Sequence, residues 1–555
     1  MPEHAPRAQA AGAVDGKSAP AERAVDVPDG GPADAIAALI PPHVLALLDR
    51  LWSAGHAAYV VGGSLRDALL GWTPHDWDVA TDARPERVQA LFPGSHYENR
   101  FGTVLVPADG GEVVEVTTFR RDHRYGDHRR PDTVTFGDDL LGDLSRRDFT
   151  INALAWGRPR SARSSVGAQA VSAELVDAFG GMDDLRRGVL RAVGDPLQRF
   201  DEDALRLVRA ARLAGQLGYE LDPATEAAMR RTADLVRHVS HERIGQELRK
   251  LLRARDPSRG LRIMAATGIL DVAFPELAAQ RGVPQAKARG MDCWEHTLAT
   301  VDAAKRLRPA DERLALAALL HDVGKPSTMG GGHFIGHEDV GAQMADRLMR
   351  RLAIPRDVAE PVVHLIRQHM FNYDPSWTDA AVRRLVQRVG PDAIDDLLLL
   401  READNLGSGQ SSDEGRLLEL RRRIAEQQRR GFPLSLKDLA VDGDDLQREL
   451  GLGPGPLIGA LLERLLDSAI ADPARNTYRQ AILDARAWLP ELLERTGDPG
   501  TGGPGGNGAT VKGADSTTAH GPTGPTASTA AARESRGTRE SRGTQQARGT
   551  QEARG

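Results

Sequence analysis

The sequence predicts a multidomain chain in which an α/β domain is followed by an all-α remainder, with disordered segments at both termini. Three observations predict it. A chain of 555 residues exceeds what one hydrophobic core serves, so three or four domains are expected. Short apolar runs between turn signals, at Ala58 to Gly62, Val104 to Pro107, Val113 to Thr117 and Val134 to Phe136, read as strands. From Asp201 onward the apolar residues recur at helical spacing, and the 4% aromatic content suits Ala-, Leu- and Arg-rich helices over a β-sandwich.

Residues 1–33 are rich in Ala, Pro, Gly and Asp, and residues 496–555 in Gly, Thr, Ser and Pro, without apolar periodicity. Such composition cannot offset the entropy of ordering, so both are expected to be solvated tails. The terminal repeat RESRGT-RESRGT-QQARGT-QEARG is too short and polar to stack into a solenoid. A net charge of -6 gives no global attraction to polyanions, so nucleic-acid contact must come from local arginine clusters. The single cysteine, Cys293, excludes an intramolecular disulfide. The N-terminus lacks the apolar core of a signal peptide and no run is long enough to span a membrane, so a cytoplasmic protein is expected.

The first chemical motif runs from Val60 to Asp82, VVGGSLRDALLGWTPHDWDVATD, read as strand, Gly-Gly turn, helix and a strand carrying Asp76 and Asp78. Gly62 and Gly63 let backbone approach a triphosphate. Strand alternation points Asp76 and Asp78 to one side, where two carboxylates can share divalent metals that activate a 3′ hydroxyl and neutralise pyrophosphate. Together with SRRDFTINALAW at 145–156, this order of motifs resembles the class II tRNA nucleotidyltransferase and bacterial poly(A) polymerase family.

The resemblance implies a nucleotidyltransferase-superfamily head, with Asp76 and Asp78 as catalytic, Mg²⁺-binding carboxylates and Gly62, Gly63 and Arg66 near the triphosphate. Glu115 is an accessory carboxylate in this reading, and Arg146, Arg147, Asp148 and Asn152 surround ribose and phosphates. A capped helix start, with Asp148 or Thr150 as cap, is compatible with it.

Glu202-Asp203-x-x-Arg206 resembles the family's nucleotide-selecting EDxxR motif. Cytosine and adenine both present an amine donor beside a ring-nitrogen acceptor, so one carboxylate and one guanidinium select C and A and leave G and U with unpaired groups. Asp203 and Arg206 are expected on one helix face, with Arg209 and Arg212 continuing the row toward phosphate or the acceptor stem. HERIGQELRKLL, from His241, matches the family's supporting helix.

Between Glu115 and Arg146 lies a long polar stretch with Arg120, Arg121, Arg129 and Arg130. The corresponding loop is shortened in some C- or A-adding specialists of the family, and here it is complete, which favours full CCA addition. No basic-aromatic signature of a poly(A) polymerase is evident, and YENRFGTVLV suits the tRNA enzymes better.

A second set comprises His296, the dipeptide His321-Asp322, His337, His369 and Asp404. It resembles the HD phosphohydrolase superfamily, and imidazole with carboxylate suits Mn²⁺, Ni²⁺ or Zn²⁺. Leu314 to Leu320 reads as the helix that delivers His321-Asp322, with Gly324-Lys325-Pro326 ending it, and His333 and His364 read as ordinary histidines. Spacing leaves open whether His337 and His369 complete one metal site or build a second.

The expected organisation is a nucleotidyltransferase head at 35–195, helical neck and body at 196–285, an HD domain at 286–425 and a helical tail module at 426–495. The resemblance implies a CCA-adding tRNA nucleotidyltransferase with tRNA, CTP and ATP as partners, no membrane and no obligate protein partner, and a second phosphoesterase activity. Poly(A) polymerase, a C- or A-adding specialist, and a nucleotide-signalling synthetase/hydrolase are the alternatives; in the last the HD domain comes first, whereas here it comes second.

Overall fold

The computed structural model describes residues 32–74, 76–97, 102–108, 111–123, 133–137, 139–160, 172–285, 290–409 and 414–496. The expected tails and the loop residues Arg129 and Arg130 lie outside these, apart from a short helix Pro32–Ala37.

The α/β part contains strands β1 (Ala58–Val61), β2 (Asp78–Thr81), β3 (His96–Tyr97), β4 (Thr103–Pro107), β5 (Val113–Thr118), β6 (Arg120–His123), β7 (Thr133–Phe136), β8 (Leu154–Arg158) and β9 (Glu174–Asp177). Seven of them form one sheet in the order β3-β4-β5-β2-β1-β8-β9, with β2 antiparallel to β1 and parallel to β5. Alternation sorts the side chains. Val60, Val79, Val116 and Trp156 join the main core on one face, while Tyr59, Val61, Ala80 and Ala155 pack with Phe119 and Leu144 on the other. The four anticipated strands are present. However, 133–136 pairs with 120–123 in a separate two-stranded ladder, so part of the anticipated polar loop is a hairpin. The sequence also placed Asp76 inside a strand. The strand begins at Asp78, and Asp76 sits in the bend before it.

Helices follow from Pro196. Asp195, Asp222 and Asp256 each precede a proline, and each side chain accepts a backbone N–H of the helix it opens. Acceptor at the cap and a missing donor at the first position explain why Asp-Pro starts these helices. One buried cluster runs from Ile36 to Ile424, so the sheet and the helices built on it share a continuous core. Helices Gly443–Leu450, Pro456–Ala471 and Tyr478–Thr496 enclose a separate core around Leu446, Leu461 and Ile482. Among the described residues no helix is long and apolar enough to cross a membrane.

Candidate active sites

At the end of β1 the chain turns through Gly62, at φ 82°, into helix Gly63–Leu69. A Cβ on Gly62 would lie 2.7 Å from Nη1 of Arg147 and 3.4 Å from Oδ2 of Asp78. Glycine therefore keeps open the space where the guanidinium faces the carboxylate. Gly63 is not constrained in this way, because a Cβ there would meet the Arg66 guanidinium at an ordinary 3.5 Å. Ser64, which the sequence reading missed, accepts the N–H of Asp78 at 3.4 Å and donates to the Val61 carbonyl at 3.1 Å.

Asp78 is half-buried and Asp76 exposed. Burial, reinforced by the negative charge of Asp76, raises the Asp78 carboxyl above its ordinary range against the opposing pull of Arg147 and Arg209. Two repelling carboxylates of this kind fit a hard divalent cation, which relieves the repulsion. The parallel register pairs Asp78 with Glu115, placing Glu115 beside it on the same sheet face.

Behind this pair runs a buried polar chain. Nη1 of Arg66 donates to Oδ1 of Asn152 at 2.5 Å, Nδ2 of Asn152 donates to Oδ1 of Asp148 at 2.9 Å, and Oδ2 of Asp148 lies 3.0 Å from Nη2 of Arg209. Burial alone would raise the Asp148 carboxyl, but Arg209 and Asn152 overcome it and hold it down at about 2. Asp148 does not cap a helix as anticipated. The turn Thr150–Asn152 starts from Phe149 without a side-chain cap, and Asp148 instead accepts the Phe149 N–H and ties Asn152 to Arg209. Arg146 and Arg147 both reach the buried carboxylate of Asp143, at 2.6 and 3.4 Å. Asp143 was also missed, although an acid three and four residues before two arginines is a helical-pair signal.

The EDxxR segment departs from the expected geometry. Helix Pro196–Glu202 ends, Asp203 is extended at φ -144° and ψ 102°, and a new helix, Leu205–Leu217, begins. Asp203 and Arg206 therefore do not share a helix face. The Asp203 carboxylate accepts the Leu205 N–H at 3.1 Å and is held by Arg243 at 3.2 and 2.8 Å. Nη1 of Arg206 donates to Glu202 at 2.8 Å, and its Nη2 donates to the Arg146 carbonyl at 2.7 Å, joining this segment to the RRD motif. Arg212 is buried against Glu247 and bonds Gln216 at 2.6 Å, a packing role in place of the anticipated phosphate contact. Both Arg243 and Glu247 come from helix His241–Arg253, which thus supports the segment as the sequence suggested.

In the second region, helix Glu312–Leu320 delivers His321-Asp322 into the interior. Gly324-Lys325-Pro326 does not merely end it; Lys325 opens another short helix, Lys325–Thr328. A side chain on Gly324 would overlap the His337 carbonyl, so glycine lets the two histidine-bearing segments meet. The ligand atoms form two groups that share Asp322. Its Oδ2 lies 3.1 Å from Nε2 of His321 and 3.4 Å from Nε2 of His296, and Asp404 approaches the same His296 nitrogen at 3.0 Å. Its Oδ1 lies 3.4 Å from His337 and 3.8 Å from His369. The Nδ1 atoms of His321, His337 and His369 face backbone carbonyls at 2.8, 2.7 and 2.6 Å, which fixes the tautomer and turns each Nε2 lone pair inward. Burial pushes His369 down to about 3, so its ring is neutral and fit to bind metal. Burial opposes ionisation of Asp322, but His321 and Lys325 hold its carboxyl well below the usual range. Thus His337 and His369 form a second group instead of completing the first. His364 donates to the Val389 carbonyl at 2.7 Å, away from this cluster, as an ordinary histidine does.

Fold and sites together define a nucleotidyltransferase head joined to helical RNA-binding and HD parts. Three family descriptions match in this order: poly A polymerase head domain at residues 58–191, probable RNA- and SrmB-binding site of polymerase A at 218–281, and HD domain at 293–408. The CCA-adding enzyme of Bacillus licheniformis is 33% identical over 411 residues, 72% of this chain and 87% of that protein. The chain belongs to the CCA-adding enzyme family. The CCA-adding enzyme of Lacticaseibacillus paracasei is 43% identical over 236 residues, a match spanning 42% of this chain and 56% of that protein. Among solved structures, the Bacillus stearothermophilus CCA-adding enzyme in complex with CTP superposes with a TM-score of 0.58 at 28% identity, covering 81% of this chain and all of that one. The Thermotoga maritima CCA-adding enzyme complexed with tRNA shares the fold, with a TM-score of 0.52 at 20% identity over 82% of this chain and 97% of that one.

Proposed function

We propose that the protein adds or repairs the 3′-terminal CCA of tRNA from CTP and ATP, without a nucleic-acid template. The observation that carries this is the junction at which Arg206 bonds the backbone of Arg146: it ties the segment bearing the acceptor and donor that C and A require to the motif whose next residue, Arg147, faces Asp78. Asp76 and Asp78 would hold Mg²⁺, which supplies charge neutralisation at the triphosphate and a lowered pKa of the attacking hydroxyl. Gly62 leaves room beside Arg147 for phosphate oxygens, and Gly63, Arg66 and Asn152 line the same turn. Asp148 fixes Asn152 and Arg209, and Asp203 with Arg206 reads the base edge. Glu115 stands as an accessory carboxylate. The proposed domain limits are head 35–195, neck and body 196–285, HD domain 286–425 and tail module 426–495; the matched regions at 58–191, 218–281 and 293–408 lie within the first three.

The HD region is proposed as a phosphoesterase with two divalent ions, such as Mn²⁺, Ni²⁺ or Zn²⁺, one held by His296, His321, Asp322 and Asp404 and the other by Asp322, His337 and His369. Such ions activate water for attack on phosphorus. The chain's contribution is to orient the imidazoles through their Nδ1 bonds and to share one carboxylate between the groups.

The test is incubation with tRNA lacking its terminal nucleotides and each labelled nucleoside triphosphate in turn. Sequential C, C and A incorporation is expected. Oligoadenylate on any RNA, or C or A alone, would reassign the head to polyadenylation or to a partial activity.

A further inference from the structure

We infer that Arg401 is a phosphate-binding residue of the HD site, aimed at the non-bridging oxygens of a phosphoester. The inference rests on the phosphoesterase reading above and names the side chain that takes the substrate's charge.

Arg401 and Asp404 lie one turn apart on helix Ile394–Ser408 and so share a face. Nη1 of Arg401 is 3.3 Å from Oδ2 of Asp404, whose Oδ1 faces His296 at 3.0 Å. The guanidinium also rests over the ring of Phe371, 5.8 Å from its centroid, and the N–H of Phe371 bonds the carbonyl of His369 at 3.1 Å. Through these two contacts Arg401 stands at the rim between the group around His296 and the group around His369. Its side chain is 19% exposed, open enough to meet a ligand yet shielded enough for its charge to act at reduced screening.

The manner of its contact with Asp404 separates it from the structural arginines of the same molecule. Arg243 grips Asp203 with two nitrogens at 3.2 and 2.8 Å, and Arg475 grips Asp484 with two at 3.2 and 2.6 Å. Arg401 touches Asp404 with one nitrogen at longer range, and among the described residues that is its one hydrogen bond. Most of its five donors thus remain for a planar, two-oxygen acceptor, which is the geometry of a phosphate edge. Lys325, the other cation beside the ligands, is committed: its Nζ sits between Oδ2 of Asp322 at 2.6 Å and Oε1 of Gln285 at 2.8 Å.

The experiment uses the full chain with Asp76→Asn and Asp78→Asn, so that the head's carboxylate pair is absent, loaded with Mn²⁺. Inorganic phosphate binding is followed by titration calorimetry and bound manganese by elemental analysis. Arg401→Gln is expected to weaken phosphate binding about tenfold or more with the manganese content unchanged, and Arg401→Lys to recover part of the loss. With bis(p-nitrophenyl) phosphate, KM should rise more than kcat falls. Phosphate binding equal to the parent's, a parent that binds no phosphate, or loss of manganese in Arg401→Gln would each overturn the assignment, the last by making Arg401 a support for Asp404. A parent that binds phosphate through Arg401 but hydrolyses no ester would instead overturn the phosphoesterase reading alone.

Discussion

Arg243 holds the carboxylate of Asp203 from a neighbouring helix, its Nη1 to Oδ1 at 3.2 Å and its Nη2 to Oδ2 at 2.8 Å. Arg206 is meanwhile fixed by Glu202 and by the carbonyls of Arg199 and Arg146. The carboxylate and the guanidinium are thus oriented by their surroundings and not by each other.

Asp203→Ala or Arg206→Ala is expected to relax base choice, letting UTP or GTP compete, because each removes half of the donor and acceptor pattern. The loss of discrimination should be roughly 1 to 3 kcal/mol, about five- to 150-fold in relative incorporation. Arg243→Gln should move selectivity in the same direction by less. Single-nucleotide incorporation with each of the four triphosphates measures this, and slower addition with C and A still chosen would move base reading elsewhere.

Replacing Asp76 or Asp78 by Ala or Asn should lower nucleotide transfer by roughly a hundredfold or more while tRNA affinity stays nearly intact. Filter binding beside the transfer assay separates the two effects. Transfer above a few per cent of the parent's in either variant would refute the assignment.

Gly62→Ala should cost transfer through geometry. The residue sits at φ 82°, where an L side chain is strained, and its Cβ would press on Arg147 near Asp78. A stability loss of about 1 kcal/mol or more is expected with an intact fold, together with a higher KM for the triphosphate. Unfolding curves and steady-state kinetics read the two; unchanged KM would show that phosphate does not approach this turn.

The low value of Asp148 gives a pH dependence of defined sign. Its folded-state carboxyl is held down at about 2, below an ordinary unfolded carboxylate, so it contributes stability that is fully present above pH 4 and lost as pH falls toward 2. The contribution is about 2 kcal/mol at neutral pH. Urea unfolding between pH 5 and 2.5 should show Asp148→Asn less stable at pH 5 and the gap closing on acidification. A constant gap would mean that the carboxylate's charge is not what stabilises this chain of contacts.

Because Asp322 belongs to both ligand groups, Asp322→Ala should empty both, whereas His337→Ala should remove one ion and spare the other. Elemental analysis of Mn²⁺-loaded protein gives the counts. His321→Ala with Asp322→Ala should leave CCA addition with Mg²⁺ unchanged; loss of both activities in a folded double variant would mean that the links from Arg249 and Arg253 to Glu312, at the start of the histidine-bearing helix, couple the sites.

The sequence by itself determined the strands at 58–61, 103–107 and 113–118, the order of α/β and helical parts, and the motifs from which the candidate sites are built, though not Ser64, Asp143, Arg243 or Arg401. These features are legible because period, turn chemistry and ligand types are local. Only the tertiary structure decided that Asp203 leaves the helix before Arg206, since that break is stabilised by Arg243, forty residues away. Tertiary contacts likewise turned Arg212 inward to Glu247 and left Arg209 on Asp148, although helical spacing treats the two arginines alike. The division of six ligands into two groups around the two oxygens of Asp322 was equally beyond the sequence: it depends on how five helices pack, and chain spacing carries no record of which imidazole faces which oxygen.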